Sequence, residues 1–339
     1  MTPKRTAPVG PRATVIGAGS WGTALAAHLR RRGADVRLWA REAEIADEIR
    51  TRRRNPFFLS DVELPEGLDV HGDLPRAVGG AEVIVVAVPS EFVGLTLEAV
   101  GTLPRGVPVL SATKGFDPER HVRMTEMIAE RFPGVGVAAL SGPTFAREVA
   151  LGRPTAAVIA SGDPALASAL QGSIGSREFR LYTNGDVVGV EVGGALKNVM
   201  AIATGIADGL GLGENARAAL ITRGLAEITR LAVALGGSPA TMAGLAGLGD
   251  LVLTCTGSLS RNRALGIALA RGQALEAHEQ ETRMIAEGAR TVRSAIVLAQ
   301  RHRVTLPVCQ EVGAVLFDKK APAAALAALL GRAQTREDG

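Results

Sequence analysis

Thr14-Val15-Ile16-Gly17-Ala18-Gly19-Ser20-Trp21-Gly22-Thr23-Ala24-Leu25-Ala26 reads as a strand, a glycine turn and the start of a helix. Gly17, Gly19 and Gly22 form G-x-G-x-x-G in the setting that motif requires: a β-branched run before it and a small-residue helical run, Thr23 to Leu29, after it. Each glycine has its own physical reason. Gly17 permits the tight turn, Gly19 lets backbone N–H groups approach a pyrophosphate with no Cβ in the way, and Gly22 lets the helix close onto the strand. The helix N-terminus then faces the anion. A glycine turn in an α/β protein without a nucleotide shows the same letters, but strand, turn and helix together favour a dinucleotide.

The 339 residues exceed what one hydrophobic core usually supports, so two domains are expected. With 47% hydrophobic and 21% charged residues the composition is that of an ordinary globular chain. The net charge of +4 raises nucleic acid as a partner, but aromatic residues make up only 3% and the basic residues are scattered, with no stacking platform. Anionic small ligands fit better. The short runs Arg30–Arg32 and Arg52–Arg54 read as solvated faces. Cys255 and Cys309 share no metal-ligand or disulfide spacing, so no metal is expected and a reduced cytosol is the natural compartment. Met1 to Arg12 is polar and Pro-rich, unlike a signal peptide. Residues 231–249 lack charge but are interrupted by Gly236, Gly237 and Pro239, which makes a poor membrane span. Of the 38 basic residues only five are Lys, and only Lys114 and Lys197 lie away from the ends. In so Arg-rich a chain, two interior lysines mark places where a compact, titratable ammonium is wanted, or they are chance.

Asp35 to Trp39 reads as a second strand, ending where such a fold meets the adenosine ribose. Arg41 and then Glu42 follow. An Arg there accepts a 2′-phosphate, so NADPH is permitted beside NADH; a solvated strand-end Arg explains it equally well. The region from Asn55-Pro56 to Leu64-Pro65-Glu66-Gly67 reads as loop. Val83 to Val88, Val107 to Ser111 and Val135 to Leu140 are continuous apolar runs of the kind buried on both faces of a parallel sheet. Their ends deliver Pro89-Ser90, Lys114 and Gly142/Thr144 to one edge, where ligands bind in open α/β sheets. Thr155 to Ala160 and Phe179 to Tyr182 extend the sheet. Beyond about residue 186 the β-branched runs stop, and helices are expected near 190–208, 214–235, 261–271, 280–302 and 307–318, with shorter ones between. The expected fold is thus α/β: a doubly wound, mostly parallel sheet over 1–186 and an all-α domain over 187–339.

In Glu191-Val-Gly-Gly-Ala-Leu-Lys197-Asn198, Lys197 is the only charge between Val192 and Ala207. Gly193 and Gly194 lie one turn earlier on the same face, and glycines inside a helix cost roughly 1 kcal/mol each relative to Ala, so a close approach must compensate. A lysine at such an approach is partly desolvated and its pKa moves down, which suits a general acid or base near neutral pH. Snorkelling from an apolar helix is the plainer alternative. Asp250, in Gly247-Leu-Gly-Asp250-Leu251, is one carboxylate in an apolar surround. It is either the N-cap of the following helix or the partner of Lys197 or of a substrate hydroxyl. Ser260-Arg261-Asn262 at a helix start makes a phosphate-binding set.

These stretches, with Thr113-Lys-Gly115 and Ser141-Gly-Pro-Thr-Phe-Ala146, resemble bacterial-type NAD(P)-dependent glycerol-3-phosphate dehydrogenase over most of the chain. The resemblance implies a Rossmann-type domain and a helical substrate domain. It also implies reversible reduction of dihydroxyacetone phosphate to sn-glycerol 3-phosphate for glycerophospholipid synthesis, in a cytoplasmic homodimer. Lys197 is implied as proton donor and acceptor, and Lys114, Gly142, Thr144, Asp250, Ser260, Arg261 and Asn262 as substrate contacts. For NAD(H) or NADP(H), the implied contacts are Ser20, Trp21, Arg41, Lys114, Ala146, Arg261, Ile285 and Glu287, beside Gly17, Gly19 and Gly22. A ketopantoate reductase or 6-phosphogluconate-type enzyme is the competing enzyme reading. A nucleotide-sensing regulator is the competing class, and it leaves Lys114, Lys197 and Asp250 unexplained.

Overall fold

A computed structural model describes residues 10–103, 105–282 and 285–331. Eight strands form one sheet: β1 (Arg12–Ile16), β2 (Asp35–Trp39), β3 (Asp69–His71), β4 (Val83–Val86), β5 (Val109–Ser111), β6 (Val137–Ser141), β7 (Thr155–Ala160) and β8 (Phe179–Asn184). Their order is β3-β2-β1-β4-β5-β6-β7-β8, and every pairing is parallel except β6 with β7. The order reverses between β1 and β4, the switch point at which a crevice opens beyond the strand ends.

The apolar runs are explained by this sheet. Val15, Val85 and Leu110 face one side, with Leu25 and Leu29 of the helix Ser20–Arg31. Ile16, Ile84, Val86 and Val109 face the other, with Leu97 and Ile128. Both faces are therefore dry, as a parallel sheet requires. The edge strand β3 has only three residues and one buried side chain, too little signal to separate it from the loop before it. Of the arginines expected as solvated faces, Arg52–Arg54 lie on the surface, where Arg52 pairs with Glu48 and Arg53 with Glu63 and Glu66, but Arg31 and Arg32 behave otherwise. Arg31 donates to the carbonyls of Val149 and Ala150, and Arg32 to those of Gly172 and Ser173, so both serve orphan carbonyls at the ends of neighbouring helices.

After β8 the described chain is helical. The helix Val187–Gly209 is the axle, with every residue from Gly189 to Ala207 buried. It is long and apolar enough to cross a membrane, yet 89% of its apolar window is buried against the rest of the protein. The helices Gly213–Ala234, Arg261–Ala270 and Pro307–Phe317 lie near their expected positions. Near 280–302 the chain forms a shorter helix, Leu275–Thr282, and then Glu287–His302, which begins later than expected. The second starts where it does because the Gly288 amide is taken by the Asn262 side chain at 3.0 Å, and a Cβ on Gly288 would sit 2.6 Å from the Asn198 carbonyl oxygen. The break carries Ile285 and Glu287 to the crevice.

Candidate active site

The glycine turn is built as its letters require. Gly17 has φ +113°, and a Cβ on Gly22 would fall 1.9 Å from the Gly17 carbonyl oxygen, so only glycine lets the helix Ser20–Arg31 approach β1. A Cβ on Gly19 would meet nothing within 4 Å. Its neighbourhood is a groove of about 340 Å³ rather than protein, which is the space a pyrophosphate needs. Gly17, Gly19, Ser20, Trp21, Arg41, Arg261, Ile285 and Glu287 line the groove, whereas Gly22 serves packing alone. Asn55, fully buried, holds the turn in place. Its amide nitrogen donates to the Ala18 carbonyl at 2.8 Å and to Thr23 Oγ1 at 2.9 Å. Nothing in the loop sequence around Asn55 announces that role, because both partners lie over 30 residues away.

A second cleft of about 360 Å³ continues from the groove and shares Ser20, Trp21, Phe58, Ala112, Arg261 and Glu287 with it. Its wall includes Lys114, Thr144, Ala146, Lys197, Asn198, Thr254, Ser260 and Asn262. Ala146, implied as a dinucleotide contact, thus belongs to this second cleft.

At its floor Asp250 joins the two interior lysines. The carboxylate is wholly buried and accepts from Lys114 Nζ at 2.7 Å and Lys197 Nζ at 2.5 Å. Asp250 is not the N-cap: it is the first residue of the helix Asp250–Thr256, entered directly from a π-helical turn at Leu245–Gly249. Such turns re-aim side chains, and this one sends the carboxylate into the core toward the axle helix. Lys197 also donates to Thr254 Oγ1 at 2.9 Å, and Lys114 to the Gly142 carbonyl at 3.0 Å and Thr144 Oγ1 at 3.3 Å. Asp250 and Gly142 therefore stand behind the lysines rather than on the cleft wall. Thr254 was legible in principle, four residues after Asp250 on one helical face.

The glycines before Lys197 have the close neighbours their cost demands. A Cβ on Gly193 would lie 2.6 Å from the Ala246 carbonyl oxygen, and one on Gly194 2.5 Å from Ser141 Oγ. They let the axle helix touch both the strand end of β6 and the π-helical turn, which brings Lys197, Lys114 and Asp250 into one cluster. Burial drives the Lys197 pKa down, Asp250 pulls it back up, and the Lys114 ammonium lowers it again; the outcome is about 8. Lys197 is therefore buried and paired rather than snorkelling, and its titration lies near neutral pH.

Ser260 caps the helix Arg261–Ala270, its hydroxyl accepting from the Arg263 amide at 3.2 Å. Asn262 donates to Asn198 Oδ1 at 3.0 Å, and Asn198 reaches Glu287 Oε2 at 3.4 Å. Burial raises the Glu287 pKa, while Arg261, Lys197 and Lys114 oppose the rise. Lys114, Lys197 and Arg261 together outnumber the carboxylates of Asp250 and Glu287 by one, a balance suited to a phosphorylated ligand. Among the described residues no three His, Cys, Asp or Glu side chains converge as a metal site.

A pyrophosphate groove at a sheet switch point, running into a cleft floored by a desolvated lysine, defines a nicotinamide-dinucleotide-dependent oxidoreductase. Comparison with known proteins narrows the class. The model of the NAD-dependent glycerol-3-phosphate dehydrogenase N-terminus matches residues 12–167, and that of the C-terminus matches 186–327. The chain belongs to this family. A glycerol-3-phosphate dehydrogenase [NAD(P)+] of Geobacter sulfurreducens is 50% identical over 325 residues, covering 95% of this chain and 97% of that one. One from Koribacter versatilis is 50% identical over 333 residues, covering 96% and 98%. The crystal structure of glycerol-3-phosphate dehydrogenase from Coxiella burnetii superposes with a TM-score of 0.92 at 39% identity, over 96% of this chain and all of that one. A ketopantoate reductase from Ralstonia eutropha, at TM-score 0.60 and 17% identity, shares the fold alone.

Proposed function

We propose that this protein reversibly reduces dihydroxyacetone phosphate to sn-glycerol 3-phosphate with NAD(P)H, feeding glycerophospholipid synthesis in the cytoplasm, and that it works as a homodimer with the catalytic helical unit beginning near residue 187. The observation that carries the reaction is Lys197, buried on the axle helix, bonded to Asp250 and Thr254, with a pKa of about 8.

The bound dinucleotide supplies the hydride in reduction and takes it up in oxidation. The remaining tasks fall to the chain. With a pKa of about 8, Lys197 is about nine-tenths ammonium at pH 7. In reduction it polarises the ketone through a hydrogen bond and delivers the proton to the oxygen. In oxidation its neutral amine takes the hydroxyl proton, and Asp250 stabilises the ammonium that forms. Lys114, Thr144 and the Ser260-Arg261-Asn262 helix start hold the phosphorylated substrate, and Arg261, on the wall of both clefts, spans substrate and dinucleotide. One acid–base group is worth typically 10²–10⁴-fold.

Purified protein mixed with NADH and dihydroxyacetone phosphate loses absorbance at 340 nm under this reading. Lys197→Ala lowers kcat by about 10²-fold or more while NADH still binds. Turnover near wild type in that variant, or a substrate panel in which a different carbonyl compound is preferred, overturns it.

A further inference from the structure

Beyond β2 the chain leaves the sheet through Ala40-Arg41-Glu42 and enters the helix Ala43–Arg52. Trp39, Arg41 and Glu42 all line the dinucleotide groove. The Arg41 guanidinium grips one carboxylate oxygen of Glu42 with two nitrogens, Nε at 2.9 Å and Nη2 at 2.7 Å, and lies 5.4 Å over the ring of Phe92, another groove residue. Glu42 occupies the N-cap position of the helix but makes no side-chain cap bond. Its carboxylate is thus committed to Arg41 and not to the helix.

The end of this strand is where a doubly wound dinucleotide fold reads the adenosine ribose. A carboxylate there accepts from the 2′-OH of NADH, and an arginine pairs with the 2′-phosphate of NADPH. Here both kinds of residue are adjacent and tied to each other. A 2′-phosphate has to take Arg41 from Glu42 and then sit, with nearly two negative charges, beside the carboxylate it displaced. A 2′-hydroxyl has to do neither.

We propose that Glu42 sets the cofactor balance of this protein: by holding Arg41 and keeping a negative charge at the 2′ position, it favours NADH over NADPH. The proposal rests on the reading of the groove as a dinucleotide site. Side-chain exposures of 65% for Arg41 and 46% for Glu42 bound its size. An exposed ion pair is worth a factor of about 1.5–5, and repulsion between carboxylate and phosphate through water adds a factor of similar size, weakened by salt.

The test is isothermal titration of NADH and NADPH into the full-length protein, as wild type, Glu42→Gln and Arg41→Gln, at low and at physiological ionic strength. Glu42→Gln is expected to tighten NADPH by roughly three- to twentyfold, with NADH unchanged or weakened, and the gain shrinks as salt rises. Arg41→Gln is expected to weaken NADPH at least about fivefold, the scale of a charge-assisted bond to phosphate lost beside an unneutralised Glu42, and NADH less than about twofold. An unchanged ratio of the two dissociation constants in Glu42→Gln overturns the role of Glu42 while leaving the dinucleotide site intact. So does an equal change for both cofactors. Absence of binding by either cofactor to the wild type overturns the dinucleotide reading and the proposal with it.

Discussion

Asp250→Asn tests the heart of the site, because it removes the one negative charge between two buried ammonium groups without changing side-chain size. Lys197 Nζ lies 2.5 Å from Asp250 Oδ1, and Asp250 is wholly buried. At an effective dielectric near 20, charges about 3 Å apart attract by roughly 5 kcal/mol, an upper figure for what the carboxylate supplies to the Lys197 ammonium. Half of that is about two pKa units at 1.36 kcal/mol per unit. Lys197 would then fall from about 8 to near 6. Its ammonium fraction at pH 7 drops from about nine-tenths to about one-tenth. The kcat of dihydroxyacetone phosphate reduction, followed at 340 nm from pH 5 to 10, should keep its shape while its falling limb moves about two units toward acid. Circular dichroism and NADH titration establish that the variant is folded and binds. Lys114→Met supplies the opposite sign, because the Lys114 ammonium lowers the Lys197 pKa; its falling limb should move above 8. A limb that stays near pH 8 in a folded Asp250→Asn variant refutes the coupling. If that variant fails to fold, a Lys114→Met limb that stays put or moves toward acid does the same.

Two further outcomes follow from the geometry. Arg261→Ala should raise the KM for dihydroxyacetone phosphate about tenfold or more, the scale of a lost charge-assisted hydrogen bond, while the KM for NADH rises less than about threefold; equal rises count against a phosphate-binding role. Glu227, 2% exposed, accepts from the amides of Val308 at 2.7 Å and Cys309 at 3.3 Å, and burial raises its pKa from 4.5 to about 7. An acid held above its unfolded pKa stabilises the fold below pH 4.5 and loses that contribution as pH rises through 7. Denaturant titrations should therefore show the stability of the wild type, relative to Glu227→Gln, falling by up to about 3 kcal/mol from pH 4.5 to above 7.

The letters of the chain determined whatever depends on local chemistry. Gly17-x-Gly19-x-x-Gly22 after a β-branched run can fold in few ways, and the structure shows the carbonyl-to-Cβ approach that excludes any other residue at 22. Continuous apolar runs marked β4, β5 and β6, and Gly193-Gly194 announced a close approach before its partner was known. Asp250 was legible as a costly buried charge and as a candidate partner of Lys197, but its bridge to Lys114 was not. Those three residues are separated by 136 and 53 positions, and only the packing of the axle helix against the end of β6 and the π-helical turn brings them together. Asn55 and the break before Glu287 stayed hidden for the same reason: a hydrogen bond to a distant backbone group leaves no periodicity in the sequence. Sequence alone thus specified the dinucleotide turn and singled out the interior lysines and the carboxylate. Tertiary structure decided their protonation, because a lysine's pKa is set by how far water is excluded and which charges stand beside it.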